Sequence, residues 1–413
     1  MSLVNQVLIR LNRKLSRMRG TSSIIQRMQN RIERTSETHN ALQLAQLPLG
    51  CRDAVRADNS EFLRSRPSVS AINWYLPFHE NPLYAGVFTV LRFASRVAEH
   101  GVNTRIVIYD QIESGVATLR RRIESYFPPL AGAVTVSPLR NAVSVATFWK
   151  SAYVIAQRSA LARYYFIQDY EPLFYSAGTL YGLAEATYRL GLIPIVNTPG
   201  LLEFLHSTHG QIGGTSFVPT VDRSVYFPKQ RSTSGPLQIV FYGRPGHTRN
   251  GFELGIEALK NLKRQYGNRV RVVSAGADWS VREYGLEGVL ENRGCLRSAA
   301  EVADLYRESD IGLCFMFSKH PSYQPFEMIS CGCVVLSNEN EATSWFFKDG
   351  QNCVLAQPTV PDLVEKFRWL IENGDERQRI SHEGPLQIAS EDWPSIIDGT
   401  CVRAGLLTAQ HSF

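Results

Sequence analysis

DIGLCFMFSKHPSYQPFEMISCGCVVLS, residues 310–337, is the stretch whose reading decides the fold. A short apolar strand runs into a polar loop. A helix then starts near Pro325 and Phe326, carries Glu327 in its first turn and stops at Cys331-Gly332, and a second apolar strand, Val334 to Leu336, follows at once. Strand, helix and strand in so short a span make a β-α-β crossover of a parallel sheet. Such a unit can also hold a nucleoside diphosphate. Backbone N–H groups at the helix start face the phosphates, and a carboxylate there takes a ribose hydroxyl. The stretch by itself fits either reading.

A second stretch upstream shifts the balance. Residues 238–255 read QIVFYGRPGHTRNGFELG. An apolar strand ends at Tyr242, Gly243 makes a tight turn, Arg244 follows, Arg249 comes five residues later and a helix begins near Asn250. Two guanidiniums at the mouth of a strand–loop–helix unit suit a diphosphate, because each presents a planar fork of donors to phosphate oxygens. The competing reading is a solvated basic face.

Together the two stretches resemble the nucleotide-binding half of the family 4 glycosyltransferases, which have the GT-B fold. The family's Gly-Arg and the basic residue five positions on match Gly243, Arg244 and Arg249. Of the family's two glutamates separated by seven residues, the second matches Glu327, followed here by MISCG, and the first falls on Lys319. That departure puts a base where the family has an acid beside the donor sugar, and adds a third cation near the diphosphate. With INWYLPFHENPLYAG and YFIQDYEPLFY in the N-terminal half, KHPSYQPFEM and GRPGHTRNGFELG are also similar to WsaF-type rhamnosyltransferases of bacterial surface-glycan assembly, over roughly residues 70–395. The resemblance implies an α/β protein of GT-B type, two Rossmann-like domains facing each other across a cleft.

Composition agrees with that frame. A chain of 413 residues is long for one domain and comfortable for two. No apolar run approaches the roughly 18 residues of a membrane span. Met1 to Leu15 lacks the continuous apolar core of a secretory signal, so a cytoplasmic protein is expected. Seven cysteines are scattered, with only Cys331 and Cys333 close together, which reads as reduced thiols acting as small core residues and as no metal site. The net charge is +6, and much of it lies in residues 1–35, where eight Lys and Arg face the single acid Glu33. Val4, Leu8, Leu11, Leu15 and Met18 form one apolar stripe of a helix within that arm. A basic amphipathic helix can lie on an anionic membrane, pack on the protein or pair with a second copy as a homodimer. Nucleic acid is not expected as a partner, since no aromatics interleave the basic residues.

Along the chain, residues 1–65 read as a basic helical arm ending in a loop. Residues 66–228 form the first α/β unit, with strands at 70–76, 104–110, 164–170 and 192–197 and a long helix stopped by Gly101. PKQRSTSGP, 228–236, is the expected linker. Residues 229–391 form the second unit, with strands starting at Gln238, Arg269, Asp310, Cys333 and Asn352 and helices between them. Two helices follow, around 360–373 and 375–390. Residues 392–413 are expected to cross back onto the first unit, as the GT-B resemblance implies.

There is no Gly-Lys-Ser/Thr phosphate loop, no GxGxxG after the first strand, no Cys/His metal spacing and no Asp-x-Asp. A GT-B enzyme needs none of these. It must stabilise a departing nucleoside diphosphate, which pre-placed cations do. Arg244, Arg249 and Lys319 are the candidates, Lys319 having the exposed loop lysine as its alternative. Gly86 follows a loop that in the family approaches the donor phosphates, or serves only to start the helix. Gln168, Asp169 and Tyr170 sit at the carboxyl end of a strand, facing the crevice of a parallel sheet. Asp169 can take a proton from an acceptor hydroxyl, or cap the next helix. His79 is a second candidate base, otherwise a surface residue. Tyr84 joins His79, Gln168 and Tyr170 on the acceptor side, and Tyr323 joins the donor side. In this fold the loop around Gly294 and Leu296 reads the nucleobase through its backbone.

The expected function is transfer of a hexose, L-rhamnose from dTDP-rhamnose, to an oligosaccharide or lipid-linked acceptor of a growing surface polysaccharide. The resemblance implies retention of configuration, no metal and no cofactor beyond the nucleotide-sugar donor. The alternatives are a nucleotide-sugar 2-epimerase of the same fold and a non-catalytic glycan-binding scaffold.

Overall fold

The computed structural model describes residues 38, 40–50, 56–79, 85–210, 213–229, 235–388 and 391–408. The expected arm of residues 1–35 lies outside them, as does most of the expected linker. Two parallel sheets organise the rest. The first contains β1 (Ala71–Leu76), β2 (Asn103–Ile108), β3 (Val134–Thr135), β4 (Val143–Ala146), β5 (Arg163–Ile167), β6 (Ile193–Asn197) and β7 (Thr215–Phe217), in the order β3-β2-β1-β4-β5-β6-β7. The second contains β8 (Leu237–Tyr242), β9 (Val270–Ala275), β10 (Glu291–Asn292), β11 (Ile311–Leu313), β12 (Val334–Asn338) and β13 (Val354–Ala356), in the order β10-β9-β8-β11-β12-β13. The strand pairs in both sheets run parallel.

Parallel strands carry helices on both faces, so their residues are buried on both sides and read as unbroken apolar runs. β5, β6 and β12 are buried along their full length, which is why RYYFI, IPIVN and VVLSN stood out in the sequence. β3, β7 and β10 have two or three residues, too few to show a period. β4 is central yet only four residues long, with Ser144 in its middle.

Each sheet reverses its winding direction once, between β1 and β4 in the first and between β8 and β11 in the second. Ligand crevices form outside the carboxyl ends of strands at such points. The loops after β1, β4 and β5 and those after β8 and β11 line one cavity between the two sheets.

The units do not divide quite as expected. The helix Arg56–Ser65 belongs to the first unit rather than to a loop: Phe62 enters its core, and the Asn59 amide accepts from the Arg163 N–H (2.9 Å) and donates to the Gly191 carbonyl (2.7 Å). Val221 and Tyr226 pack into the second unit's core, so the chain has changed units before residue 228. The helix Trp393–Ala404 packs Ile396, Ile397 and Cys401 into the first core. Asp398 on that helix takes two bonds from Arg96 (2.6 and 2.8 Å) and one from His100 (2.9 Å).

The two units touch closely at Gly200. A Cβ there would lie 2.4 Å from the Ala342 carbonyl and 2.6 Å from the Trp345 ring, so only glycine permits this approach.

Candidate functional site

The cavity has a volume of about 1270 Å³. Its second-unit wall starts where β8 ends. Gly243 is needed there because a Cβ would sit 2.3 Å from the Ser274 hydroxyl. Arg244 then donates from Nη1 to the Tyr242 hydroxyl (3.0 Å) and from Nη2 to His247 Nε2 (2.6 Å). Burial, with the charges of Arg244 and Arg249, holds the His247 pKa down near 4, so its neutral ring is free to accept. Arg249 reaches across the cavity, its guanidinium 4.4 Å from the centre of the Phe174 ring of the first unit.

The loop after β11 leads into the helix Gln324–Ser330. Glu327 lies in its first turn and lines the cavity. Burial raises its pKa to about 7 against a hydrogen bond from Tyr226 and the charge of Arg92. Arg92 comes from the helix Ala85–Glu99, with Phe88 and Trp393 ring centres 4.8 and 4.9 Å from its guanidinium carbon. Tyr323 binds the two units together. Its hydroxyl takes bonds from Thr89 (3.0 Å) and from the Asn197 amide (2.8 Å), and burial raises its pKa to about 12.

On the first-unit wall, Gln168 and Asp169 follow β5. The Gln168 amide lies over Gly86, where a Cβ would come within 3.4 Å of it. Burial raises Asp169 to a pKa of about 6, while Arg249, the Ser318 hydroxyl and the backbone N–H groups of Tyr170 and Lys319 favour its charged form. Asp169 therefore ties the first unit to the loop after β11. Below it, Glu171 is buried at the edge of the cavity and takes bonds from the Trp149 N–H (2.6 Å) and the Tyr165 hydroxyl (3.0 Å).

Nine of the candidate residues therefore line one cavity: His79, Gly86, Gln168, Asp169, Arg244, Arg249, Leu296, Tyr323 and Glu327. Gly243 and Gly294 shape its walls from behind. Gly294 has φ +69°, and a Cβ there would collide with Asp278. Two residues lie elsewhere. Lys319 was expected beside a diphosphate, but its Nζ sits 4.9 Å over the Phe204 ring, because the tight turn after it puts His320 on the cavity wall instead. Tyr170 was expected on the acceptor side. It is 3% exposed and stacked on Tyr188 (5.5 Å, 14°) against Phe204, a core residue. Tyr84 lies outside the described residues.

Sequence reasoning missed Arg92, Tyr226, His247, His320 and Trp393, all of which line the cavity. His247 and His320 lay in stretches already singled out. Arg92 and Trp393 are about three hundred positions apart and gave no local signal. Among the described residues, no cluster of three or more His, Cys, Asp or Glu could hold a metal ion. Cys314, Cys331, Cys333, Cys353 and Cys401 are buried free thiols, while Cys295 is exposed.

Two facing parallel sheets, each with its crevice at a winding reversal, and an interdomain cavity carrying two arginines and a glutamate define the GT-B class. Parts of the chain match two family models: the WsaF C-terminal domain over residues 237–368 and the WsaF N-terminal domain over residues 137–199. The O-antigen biosynthesis protein RfbC of Myxococcus xanthus is 41% identical over 360 residues, which cover 84% of this chain and 28% of RfbC. The chain thus spans little more than a quarter of that curated relative. Among solved structures, WaaG, a glycosyltransferase involved in lipopolysaccharide biosynthesis, aligns with a TM-score of 0.59 at 14% identity, over 81% of this chain and 100% of WaaG. HepE of Anabaena, solved in complex with UDP-glucose, aligns with a TM-score of 0.54 at 13% identity, over 83% and 97%. These two likenesses concern the fold.

Proposed function

We propose that the protein is a glycosyltransferase of surface-glycan assembly, moving a hexose from a nucleotide sugar to an oligosaccharide or lipid-linked acceptor. The observation that carries this reading is the convergence of Arg244, Arg249 and Glu327 on one interdomain cavity at the carboxyl ends of β8 and β11. A glycosyl group leaves by breaking its bond to the β-phosphate oxygen, and the acceptor oxygen takes its place. The negative charge left on the diphosphate then faces two guanidiniums, and the growing charge needs no metal to meet it. In this reading Glu327 takes a ribose hydroxyl and Asp169 receives the acceptor proton. HepE's complex with UDP-glucose and RfbC's part in O-antigen biosynthesis support the donor class and the pathway.

The finer reading is L-rhamnose from dTDP-rhamnose, transferred with retention by a cytoplasmic protein. The basic arm of residues 1–35 would hold it at an anionic membrane where a lipid-linked acceptor sits, or would pair two copies; among the described residues, no helix is long and apolar enough to cross a membrane.

A melting-temperature screen with dTDP, UDP, GDP and ADP tests the donor base, since a ligand that binds only the folded state raises its stability. Release of nucleoside diphosphate only when acceptor is present supports transfer. Interconversion of the sugar nucleotide alone would make the protein a 2-epimerase, and neither activity a scaffold.

A further inference from the structure

The loop Ser318 to Tyr323 contains a donor that the reading above does not use. The Ser322 N–H donates to His320 Nδ1 (2.9 Å), so a neutral His320 carries its proton on Nε2. Burial and the Arg249 charge hold the ring's pKa near 3, so it stays neutral. The turn that makes this bond places Ser322 at φ +62°, a left-handed conformation unfavourable for a residue with a Cβ. His320 lines the cavity and is 6% exposed, yet its Nε2–H has no partner. A buried unpaired donor is costly, and such groups mark sites that a ligand completes.

The surroundings indicate which ligand. Gln168 Oε1, Asn197 Oδ1 and Asn250 Oδ1 are also buried without a partner and belong to residues that line the same cavity, Gln168 and Asn197 from the first unit and Asn250 from the second. Asn197 and His320 are linked through Tyr323, which bonds the Asn197 amide and lies 5.8 Å, ring to ring, from His320. Three amide oxygens want hydroxyl donors and one imidazole N–H wants an acceptor. A sugar ring supplies both, because each hydroxyl donates and accepts.

We propose that His320 is a specificity-determining residue of the glycosyl subsite, its Nε2–H donating to a sugar oxygen of the donor, with the neutral amides of Gln168, Asn197 and Asn250 facing the same cavity. The proposal rests on the glycosyltransferase reading and goes beyond it by assigning sugar recognition to neutral groups.

The test measures binding of dTDP and dTDP-L-rhamnose by titration calorimetry to the full chain, as wild type, His320→Leu and His320→Gln. Leu removes the donor, while the Gln side-chain amide N–H replaces it. In His320→Leu the affinity for dTDP-rhamnose should fall about five- to tenfold, as loss of one hydrogen bond predicts, with dTDP affinity unchanged. The Leu variant loses the unpaired Nε2–H but also the Nδ1 acceptor of the Ser322 N–H, so its unchanged dTDP affinity serves as the check that the site is still folded. His320→Gln should bind dTDP-rhamnose within about threefold of wild type, and it carries the test if the Leu variant does not fold. Equal loss of dTDP and dTDP-rhamnose binding would place the donor on a phosphate and overturn the proposal. So would unchanged binding in His320→Leu, or a folded His320→Gln that binds as weakly as the Leu variant. A wild type that binds neither these two ligands nor UDP and UDP-glucose would instead overturn the donor reading beneath it.

Discussion

Replacing Glu171 by Gln should stabilise the protein, by an amount that grows with pH. Glu171 is 3% exposed, and both of its donors, the Trp149 N–H and the Tyr165 hydroxyl, bond to Oε2. Burial, aided by the Asp169 charge and opposed by those two bonds, lifts its pKa from 4.5 to about 8. Between those values the native state holds a proton that the unfolded chain has released, so stability falls as pH rises through this window and levels off above it. At pH 7 the interval from 4.5 is 2.5 units, and at about 1.36 kcal/mol per unit, protonating this one group on folding costs about 3 kcal/mol. Gln avoids the cost: its carbonyl keeps the two bonds at Oε2, and its NH2 stands where the protonated Oε1 was. Urea unfolding of both proteins from pH 4.5 to 8, followed by tryptophan fluorescence beside Trp149, measures the difference. The variant should be about 3 kcal/mol more stable at pH 7 and nearly equal to wild type near pH 4.5. A gap that does not change with pH, or a less stable variant, would refute the reasoning.

Other predictions address the cavity directly. Arg244→Ala and Arg249→Ala should each lower turnover about ten- to two-hundredfold without unfolding the protein, as loss of a charge-assisted bond worth about 1.5–3 kcal/mol implies; wild-type rates in both would end the diphosphate assignment. Glu327→Gln should weaken nucleotide binding by about 1–2 kcal/mol, and an unchanged dissociation constant would leave Glu327 with a purely structural role. Lys319→Met should leave donor affinity within about twofold of wild type and cost about 0.5–1 kcal/mol of stability from the lost contact with Phe204; a large loss of donor binding would return Lys319 to the cavity.

The sequence by itself determined the parallel α/β architecture and the second unit's half of the site. Strands buried on both faces must be apolar throughout, so β1, β5, β6, β8 and β12 were visible as runs, and Gly243, Arg244, Arg249 and Glu327 lie at fixed short distances from them along the chain. β3, β4, β7 and β10, of two to four residues, were not visible, because a period needs more repeats than they contain; β11 and β13 are as short but lie within longer apolar runs. Nor was the side to which a loop residue turns. SKHPS offers a lysine and a histidine in succession, and only the turn at Ser322 puts the neutral histidine on the cavity wall and sends the cation to Phe204. Contacts that join distant positions belong to tertiary structure alone. Arg92 between Phe88 and Trp393, Tyr323 on Thr89 and Asn197, and Asp169 on Ser318 each bring together groups whose proximity no local spacing encodes. The ionisation of Asp169, Glu171, His320 and Glu327 was decided there too. It depends on how completely the closed units exclude water around each group, and burial of that kind exists only once both sheets have folded and met.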